Sequence, residues 1–175
     1  MNIFGIGIDV VEVERIASSM AEFGERFARK VFTEGERAYC ESQKNPSIHY
    51  AARFAAKEAV AKAMGTGIGK DLAWLDMEIR RRPSGEPEVF LSGDGAKFAK
   101  ENNIKEIKIS LTHAQHYAAA NAIVLVEEDK IILIPVKGSL KKLKGIVPAP
   151  DGAISLDDMT NAVEDEAAKR MLKLS

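Results

Sequence analysis

The sequence predicts an α+β fold that combines a mostly antiparallel sheet with one long helix. Three observations predict it. Short segments rich in β-branched residues occur in pairs around turn signals, as the strands of antiparallel hairpins do. After the first strand, several predicted helices follow one another, instead of one helix alternating with each strand. The longest of these helices contains seven alanines, which favour helix and permit close packing.

The chain begins with an apolar, β-branched segment, residues 3–10, which predicts a buried strand ending near Asp9. Residues 11–28 then carry apolar side chains at spacings of three and four, which predict a helix with one apolar stripe. The stripe comprises Val13, Ile16, Ala17, Met20, Phe23 and Phe27. Charged residues occupy the opposite face of this helix.

Two more helices are predicted before the middle of the chain. Thr33 and Glu36 form a capping-box pair, which predicts the start of a short helix. Pro46 begins a long helix that is expected to run through Met64. Gly65 follows at the position where a left-handed glycine commonly ends a helix.

The next stretch predicts a hairpin, a helix and a second hairpin. Two prolines and a glycine in residues 83–87 form the first turn. Alternating polar and apolar residues indicate strands. In chain order, the predicted elements are strands over residues 74–80 and 89–91, a helix over residues 93–103, and strands over residues 107–111 and 117–126.

A charged segment, residues 127–130, separates two regions of the chain. We expect one domain over residues 1–126 and a C-terminal extension over residues 127–175. The extension predicts a linker, a short apolar strand and an amphipathic helix, for which Ser155 and Asp158 offer an N-terminal capping signal.

Composition excludes several classes of function. The chain has 25 basic and 26 acidic residues, and this balance provides no general attraction to nucleic acid or to anionic membranes. No apolar run approaches the roughly 20 residues that a membrane helix needs. Cys40 is the single cysteine, so no internal disulfide can form and a reducing compartment is indicated. We therefore expect a cytoplasmic protein with neither nucleic acid nor membrane as a partner.

Two acidic residues are candidates for a metal site. Asp9 lies at the end of an apolar strand, where a charge is costly unless it is paired or binds a metal. Glu58 lies among alanines in the long helix. Two carboxylates from separate elements suit Mg²⁺, which takes its remaining ligands from water and substrate phosphates. In the alternative, backbone amides would satisfy Asp9, and Glu58 would pair with Lys62 one turn on.

Cations on the same long helix are candidates for binding phosphate. Arg53 and Lys57 are four residues apart and share one face, and Lys62 lies on the neighbouring face with the candidate metal carboxylate. A lysine beside a metal carboxylate is suited to phosphoryl transfer. The alternative is a solvated charged face. The glycines from Gly65 to Gly69 would permit close approach of a phosphate, although a plain helix stop also explains the first of them.

One histidine is a further candidate. His113 follows a strand at a hairpin turn, where it could bind a phosphate or act as an acid or base, or serve as a structural residue of the turn. His49 and His116 show no ligand partners in the sequence. No cluster of cysteines and histidines suggests zinc, and no Gly-x-Ser-x-Gly element suggests an acyl hydrolase.

Three sequence motifs occur in one order along the chain. They are Gly-Ile-Gly-Ile-Asp-Val-Val-Glu at residues 5–12, Arg-Phe-Ala-Ala-Lys-Glu-Ala at residues 53–59 with the glycine segment after it, and Ile-Ser-Leu-Thr-His at residues 109–113 followed by Tyr-Ala-Ala-Ala. Together they resemble the signatures of holo-[acyl-carrier-protein] synthases in the 4'-phosphopantetheinyl transferase superfamily. The resemblance spans residues 1–126 and implies that family's α+β fold.

The resemblance implies an enzyme that transfers 4'-phosphopantetheine from its substrate coenzyme A to a serine of apo-acyl carrier protein, releasing 3',5'-ADP. It implies that Asp9 and Glu58 hold the cofactor Mg²⁺ and, with Lys62, form the catalytic group. The general base stays open between Glu58 and a metal-bound water. The implied pathway is fatty acid biosynthesis, although the sequence does not say which carrier protein is served.

The resemblance also implies how substrates and subunits are held. The residues that it assigns to coenzyme A are Arg53, Lys62, Gly65, Gly67 and His113. Two of them, Lys62 and His113, would contact the 3'-phosphate. The first helix would dock the acidic carrier protein through Arg15, Arg26 and Phe27, unless it is a solvated helix with ordinary ion pairs. The family forms trimers with active sites between subunits, which implies a homotrimer.

The sequence departs from the family pattern at two positions. Glu86 replaces a lysine that is common at the first hairpin turn, which removes a cation near the nucleotide unless one of the arginines at residues 80–82 replaces it. Ala114 replaces a common polar residue after His113 and removes one donor to a phosphate. Both changes are expected to weaken binding of coenzyme A.

The tail resembles a different family. Residues 138–146, the prolines at 148 and 150 and the helix opening at Ser155 are similar to the toxin-binding part of AbrB-type antitoxins, whose DNA-binding half this chain lacks. The tail is expected to be a protein-binding appendage, a lid or subunit contact for the enzyme, or a fusion without a role in its chemistry.

Two rival functions stay open. A strand ending in Gly-Ile-Asp also begins sugar and acetate kinases, but those chains are far longer and need a second nucleotide-binding half. The other rival is a protein-interaction module with a vestigial catalytic core, which would work through the C-terminal tail.

Overall fold

The computed structural model of the chain describes residues 1–127. Its elements are β1 (Asn2–Glu12), α1 (Val13–Val31), α2 (Glu34–Glu41), α3 (Pro46–Met64), a 3₁₀ turn (Trp74–Asp76), β2 (Met77–Arg81), β3 (Pro87–Leu91), α4 (Gly93–Glu101), β4 (Ile104–His113) and β5 (Tyr117–Val126). This is the α+β fold that the sequence predicts. The strand and helix predicted for the C-terminal extension lie outside the described residues. Within residues 1–127, no helix combines the length and apolarity needed to cross a membrane.

An antiparallel sheet of three strands, in the order β1-β5-β4, forms one layer of the fold. On the central strand β5, Ala120 lies opposite Asp9 of β1, and Ala118 lies opposite His113 of β4. Asp9 and His113 therefore lie on the two outer strands, two residues apart along β5. The sheet register thus brings the first and third sequence motifs to the same end of the sheet.

Helix α3 packs against this sheet and forms the centre of the core. Gly5 and Gly7 of β1 allow the helix to approach closely, because a Cβ atom at either position would overlap the backbone carbonyl oxygen of Ala63 or Ala59. The buried alanines of α3 are Ala51, Ala52, Ala55, Ala56, Ala59, Ala61 and Ala63. Small residues on both elements therefore permit the close contact between β1 and α3.

The predicted ends of α2 and α3 are confirmed. The hydroxyl of Thr33 accepts a hydrogen bond from the backbone N–H of Glu36 at 3.3 Å, and the Glu36 carboxylate accepts one from the N–H of Thr33 at 2.9 Å. This reciprocal capping box starts α2. Gly65 ends α3 in the left-handed conformation, with φ of 72°.

Strand β1 is longer than predicted. It does not end near Asp9 but continues to Glu12, because β5 pairs with it as far as Tyr117. Helix α1 accordingly begins at Val13, two residues later than predicted. Asp9 is therefore held within a paired strand, which gives its side chain a defined direction.

Helix α1 is interrupted at Gly24, whose φ of 50° and ψ of −136° are not helical. The apolar stripe therefore does not continue unchanged through the helix. Ile16 before the interruption and Ala28 after it are buried, but Phe23 is 52% exposed. The prediction of one apolar stripe along this helix is therefore wrong at Phe23, because the non-helical residue Gly24 beside it interrupts the helical periodicity.

Strands β2 and β3 form a separate two-stranded hairpin. The first strand was predicted from residue 74 but begins at Met77, because Trp74–Asp76 form a 3₁₀ turn. The Asp76 carboxylate stabilises that turn by accepting a hydrogen bond from the N–H of Ala73 at 2.9 Å. At the hairpin turn, Gly85 adopts φ of 95°, which residues with a side chain rarely do.

One face of β1 is apolar and exposed in the single chain. Ile6, Ile8 and Val10 have 66%, 65% and 60% of their surface exposed, and we call these three residues the open face. They alternate with Gly7 and Asp9, which lie on the side of α3. The prediction of a buried first strand therefore holds for only one of its two faces.

Candidate active site

Asp9 of β1 and Glu58 of α3 lie at the contact between the strand and the helix. Lys62, one turn after Glu58, donates hydrogen bonds from its Nζ to Asp9 Oδ1 at 2.8 Å and to the carbonyl of Ile8 at 3.1 Å. The Asp9 side chain is mostly buried, whereas Lys62 is half exposed. The alternative in which Lys62 pairs with Glu58 is therefore wrong, because the ammonium bonds across to the strand.

The two carboxylates influence each other. Burial raises the pKa of Glu58, and the negative charge of Asp9 raises it further, while Lys62 and Arg15 oppose both effects. Both effects make the ionised form of Glu58 less favourable, because it is partly removed from water and lies near Asp9. A cation that binds both carboxylates would relieve their repulsion.

The donor set of this site fits Mg²⁺. Two carboxylate oxygens from different elements are hard ligands, and they leave the remaining positions of the ion for water and substrate phosphates. Among residues 1–127, no cluster of three or more histidine, cysteine, aspartate or glutamate side chains provides a fuller set of metal ligands. The carboxylate pair is therefore suited to an ion that is shared with a phosphorylated substrate.

Lys57, next to Glu58 in the chain, does not belong to this site. It is completely buried, and its Nζ forms an ion pair with Glu36 Oε2 at 2.7 Å. It also donates to the carbonyls of Val31 and Trp74 at 2.7 and 2.9 Å. The interpretation of Arg53 and Lys57 as a solvated face is wrong, because both side chains are buried in the core or beneath a cleft.

The other cation of that pair, Arg53, lies under a cleft between α2, α3, the β2–β3 hairpin and β4. We call it the cationic cleft. Its lining residues are Tyr39, His49, Ala52, Arg53, Ile79, Arg80, Arg81, Gly85, Pro87, Leu111 and His113. Three arginines and two histidines line the cleft, and the set contains no carboxylate. An anionic ligand would therefore find complementary charge there.

Arg53 is held in place but keeps unused donor capacity. Only 6% of it is exposed. Its guanidinium lies 4.0 Å from the ring centroid of Tyr39, and Nη1 donates to the carbonyl of His49 at 3.5 Å. Its Nε is buried without a hydrogen-bond partner among the described residues. A buried donor of this kind costs free energy unless a ligand satisfies it.

The structure distinguishes among the three arginines of the hairpin. Arg80 pairs with Glu78 at 3.0 Å, and Arg82 pairs with Glu88 at 2.7 Å. Arg81 instead donates from Nε to the carbonyl of Gly85 at 3.2 Å and, within the described part of the chain, has no acidic partner within 4.0 Å. Arg81 is thus the arginine best placed to replace the cation that Glu86 removes.

The glycine segment lies at the other end of α3 from the cationic cleft. Gly65 and Gly67 both have positive φ, and the N–H of Gly67 donates to the carbonyl of Ala61 at 3.2 Å. Twelve residues separate Arg53 from Gly65, or about 18 Å along a helix. Within one chain, Gly65 and Gly67 therefore lie near Lys62 at the C-terminal end of α3, whereas Arg53 and His113 line the cationic cleft.

Comparison with known proteins places this geometry in a family. Residues 5–122 match the sequence profile of the 4'-phosphopantetheinyl transferase superfamily. The chain belongs to this superfamily. A holo-[acyl-carrier-protein] synthase of Chlamydia trachomatis serovar L2 is 49% identical over 120 residues, which are 69% of this chain and 98% of the relative.

Solved structures agree with the superfamily assignment. The holo-[acyl-carrier-protein] synthase of Neisseria meningitidis matches with a TM-score of 0.68 and 32% identity, over 71% of this chain and 99% of that one. The Helicobacter pylori enzyme in complex with coenzyme A matches with a TM-score of 0.62 and 32% identity, over 69% and 99%. The predictions of the α+β transferase fold and of an enzyme of this family are confirmed. The kinase interpretation is thereby excluded.

The match to the superfamily does not include the C-terminal tail. The profile ends at residue 122, and residues 128–175 lie outside the described structure. The resemblance of the tail to AbrB-type antitoxins, the division into two domains and the rival function that depends on the tail all stay predictions.

The predicted docking residues lie on α1. Arg15 and Arg26 are exposed, and Phe27 is half-buried with its ring edge-on to Phe32 at 6.2 Å. Arg15 is close enough to the carboxylate pair to lower the pKa of Glu58, against the larger effects of burial and Asp9. Arg26 lies beyond the break at residue 24. The two arginines therefore occupy different segments of α1.

Sequence reasoning missed two residues of this superfamily member's cleft and did not single out a third. His49 and Tyr39 belong to none of the three motifs, and nothing in their spacing shows that their rings meet at 5.8 Å. Arg81 was one of three equivalent candidates. The capping box that starts α2 was visible, but its consequence, a buried carboxylate for Lys57, needed the tertiary structure.

Proposed function

We propose that the chain transfers 4'-phosphopantetheine from coenzyme A to a serine of apo-acyl carrier protein and releases 3',5'-ADP. The observation that carries the proposal is that one helix, α3, supplies both a carboxylate pair with Asp9 and a cationic cleft without acids. The first suits a metal and a pyrophosphate, and the second suits a further phosphate. The names of the relatives and the neighbour solved with coenzyme A support the assignment.

Asp9 and Glu58 are the residues that would hold Mg²⁺. When bound, Mg²⁺ would supply positive charge against the pyrophosphate oxygens. The chain's own contribution is to hold the two carboxylates close to each other, because β1 fixes Asp9 within a paired strand and α3 fixes Glu58. Lys62 orients the Asp9 carboxylate through its hydrogen bond of 2.8 Å.

In the proposed reaction, the serine oxygen of the carrier protein forms a bond to the β-phosphorus of coenzyme A. The bond from that phosphorus to the oxygen of the leaving 3',5'-ADP breaks, and the serine proton passes to Glu58 or to a water. Lys62, half exposed beside Asp9, adds positive charge where the phosphate oxygens become more negative. The scaffold otherwise contributes by positioning the two substrates.

The cationic cleft would bind the nucleotide part of coenzyme A. We propose that His113, Arg53 and Arg81 surround its 3'-phosphate, because these basic side chains line one cleft that has no acidic lining residue among residues 1–127. Gly65 and Gly67 would permit close approach of the substrate near the carboxylate pair. Lys62 is not among the residues that line the cleft, and we propose that its contact with the same phosphate is made in a site built from two chains.

A homotrimer with active sites between subunits would meet that requirement. The open face offers the contact surface, because Ile6, Ile8 and Val10 expose about two thirds of their surface in the single chain. Removing such apolar area from water stabilises an interface by about 25 cal/mol per Å² before association costs. We propose that a neighbouring copy covers the open face and brings its cleft to the carboxylate pair of the first.

Light scattering of the Ile8→Lys variant tests the trimer. We expect the wild-type chain to have the mass of three copies and the variant to fall to lower mass, because a lysine would lie in the apolar interface. Phe90→Lys, at an exposed apolar position of β3 outside the open face, should leave the mass unchanged. A monomeric wild-type protein would refute the trimer.

The proposed carrier-protein contact is Arg15, Arg26 and Phe27 of α1. Carrier proteins are acidic, and exposed arginines on one helix would attract such a partner at long range. Phe23, exposed at the break in α1, adds apolar surface to the same region. We also propose that the reaction takes place in the cytoplasm, since Cys40 is a buried free thiol and the sequence has no second cysteine.

Mass spectrometry of the carrier protein tests the proposed function. Incubation of the enzyme with apo-acyl carrier protein, coenzyme A and Mg²⁺ should add one phosphopantetheine group to the carrier. A chelator and Asp9→Asn should each abolish the gain, whereas Asp94→Asn, an exposed change on α4, should not. No gain of mass with folded wild-type enzyme and a range of carrier proteins would reject the proposal.

A further inference from the structure

His49 occupies the cationic cleft although none of the three motifs includes it. It lies in the first part of α3, half-buried, with its ring edge-on to that of His113 at 5.1 Å between centroids. The ring of Tyr39, from α2, lies edge-on to the His49 ring at 5.8 Å between centroids. The carbonyl of His49 accepts a hydrogen bond from Arg53. Four residues from three elements thus form one cluster.

Among the described residues, the ionisable side chains that line the cleft with His49 are basic, apart from the phenol of Tyr39. Arg53 lies on the same helix, His113 faces it from β4, and Arg80 and Arg81 line the cleft from β2. The neighbour from α2 is the neutral phenol of Tyr39. Among residues 1–127, no carboxylate lines the cleft, and only Arg80 of these basic residues has an acidic partner, Glu78, outside the lining. An anion entering the cleft would be the counterion for the whole cluster.

This environment lowers the pKa of the His49 ring in the free protein. Burial lowers its pKa, and the charges of His113 and Arg53 lower it further. All three effects disfavour the imidazolium form. A phosphate in the cleft would add negative charge next to the ring and would favour that form.

We propose that His49 is a further binding residue for the nucleotide phosphate and that it takes up a proton from solvent when the phosphate binds. The imidazole nitrogen gains the proton, and the resulting imidazolium donates to a phosphate oxygen. The inference rests on the proposed function, because it identifies the anion as a phosphate of coenzyme A. It adds a residue outside the motifs and a linkage between binding and pH.

The direction of the pH dependence follows from the two states of His49. In the free protein its pKa lies below the ordinary histidine value of about 6.5, and in the complex it lies above the free value. Between those two values, binding takes up a proton, so affinity rises as the pH falls through the value of the complex. Below the lowered value of the free protein the gain is complete.

Calorimetric titration with 3',5'-ADP tests the linkage without requiring turnover. The titrations use two buffers of different ionisation enthalpy, at pH 6.5 and pH 8, so that bound protons are counted. We expect wild-type protein to take up more protons at pH 6.5 than His49→Gln. We also expect this variant to bind about tenfold more weakly at pH 6.5, the effect of one unit of pKa change, and nearly normally at pH 8.

Two controls separate His49 from other titrating groups. The phosphate of the free ligand titrates identically in every experiment, so its contribution is the same for every variant. His116→Gln makes the same substitution at a histidine outside the cleft and should behave as wild type. NMR titration of the wild-type imidazoles needs no variant, and the pKa of His49 should rise when 3',5'-ADP is added.

The outcomes distinguish the inference from the function on which it rests. Equal proton uptake and affinity in wild type and His49→Gln, or an unchanged pKa of His49 in the NMR titration, would overturn the inference alone. Failure of the wild-type protein to bind either 3',5'-ADP or coenzyme A at any pH would overturn the proposed function and the inference together.

Discussion

Helix α3 carries opposite electrostatics on the two sides of Lys57. On the C-terminal side, the carboxylate end, Glu58 and Asp9 repel each other, and Asp9 accepts a hydrogen bond from the ammonium of Lys62. On the N-terminal side, the cationic end, Arg53 and His49 face a cleft whose lining, among the described residues, includes no carboxylate. The first end would bind a cation and the second an anion. Coenzyme A, with a pyrophosphate and a separate 3'-phosphate, has the chemistry to engage both.

A neutral buried pair lies near the middle of the same helix. Lys57 is sequestered with Glu36 in the core, where backbone carbonyls satisfy its remaining donors. Its charge is therefore balanced locally. Two adjacent charged residues of one helix therefore have different roles: Lys57 forms a buried ion pair in the core, and Glu58 belongs to the candidate active site. The predictions below test this difference, from the largest expected effect to the smallest.

The largest effect is expected from breaking the buried pair. Lys57→Met would leave the Glu36 carboxylate buried without its counterion and should lower the free energy of unfolding by about 3–5 kcal/mol. Lys62→Met, at the half-exposed lysine of the carboxylate end, should cost about 1 kcal/mol or less. Denaturant unfolding measures both. Equal losses of stability would contradict the division between core and site.

Removing a metal carboxylate should abolish most turnover but preserve the fold. Glu58→Gln should lower kcat by about 10²–10³-fold, the size expected when one preorganised electrostatic group of a transition state is lost. Binding of 3',5'-ADP in the cleft should stay unchanged. Glu101→Gln, exposed on α4, is the matched control for rate measurements. Loss of 3',5'-ADP binding in Glu58→Gln would show that the two ends are not separable.

Acidification should weaken the same end of the helix. The pKa of Glu58 is raised by burial and by Asp9, and only the deprotonated carboxylate binds a metal. Mg²⁺ affinity should therefore be retained above that raised pKa and fall as the pH decreases through it. Titration of Mg²⁺ at several pH values measures the effect. A midpoint below the ordinary glutamate value of about 4.3 would contradict the expected direction.

At the cationic end, the hairpin arginines should differ. Arg81→Gln should raise KM for coenzyme A about tenfold, because a hydrogen bond to a charged group would be lost. Arg82→Gln should have little effect, because Arg82 is already paired with Glu88. Steady-state kinetics compares the two variants. If Arg82→Gln proves the more damaging change, the assignment of Arg81 as the replacement cation is wrong.

The smallest effect is expected on carrier docking. Arg26→Glu should raise KM for the carrier protein severalfold at low salt and less at high salt, with kcat unchanged, because the contact acts through long-range attraction. Lys97→Glu on α4 reverses a charge elsewhere and controls for net charge. An unchanged KM in Arg26→Glu would remove Arg26 from the docking surface.

Much of the fold and part of the site could be predicted from local patterns. The capping box at Thr33, the left-handed Gly65 and the order of strands and helices were all correct, because hydrogen bonds and side chains only a few residues apart determine them. The motifs also identified Asp9, Glu58 and Arg53 as candidates. Their roles in catalysis and binding stay proposals.

Other features had no local signal. The break at Gly24 exposes Phe23, the 3₁₀ turn delays β2, and β1 continues beyond Asp9 because β5 continues to pair with it. Each depends on a partner distant in sequence or on a backbone conformation that the residue type permits but does not require. Periodicity alone could not place these boundaries.

By itself, the sequence determined which residues can carry the chemistry and which elements hold them, since residue type and short-range spacing act locally. Only the tertiary structure decided how the charges are divided. It buried Lys57 with Glu36, joined Lys62 to Asp9, gave Arg81 no acidic partner among the described residues and brought the rings of His49 and His113 together. The physical reason is that the free energy of a charge depends on its solvation and on its neighbours in space, which sequence spacing does not specify.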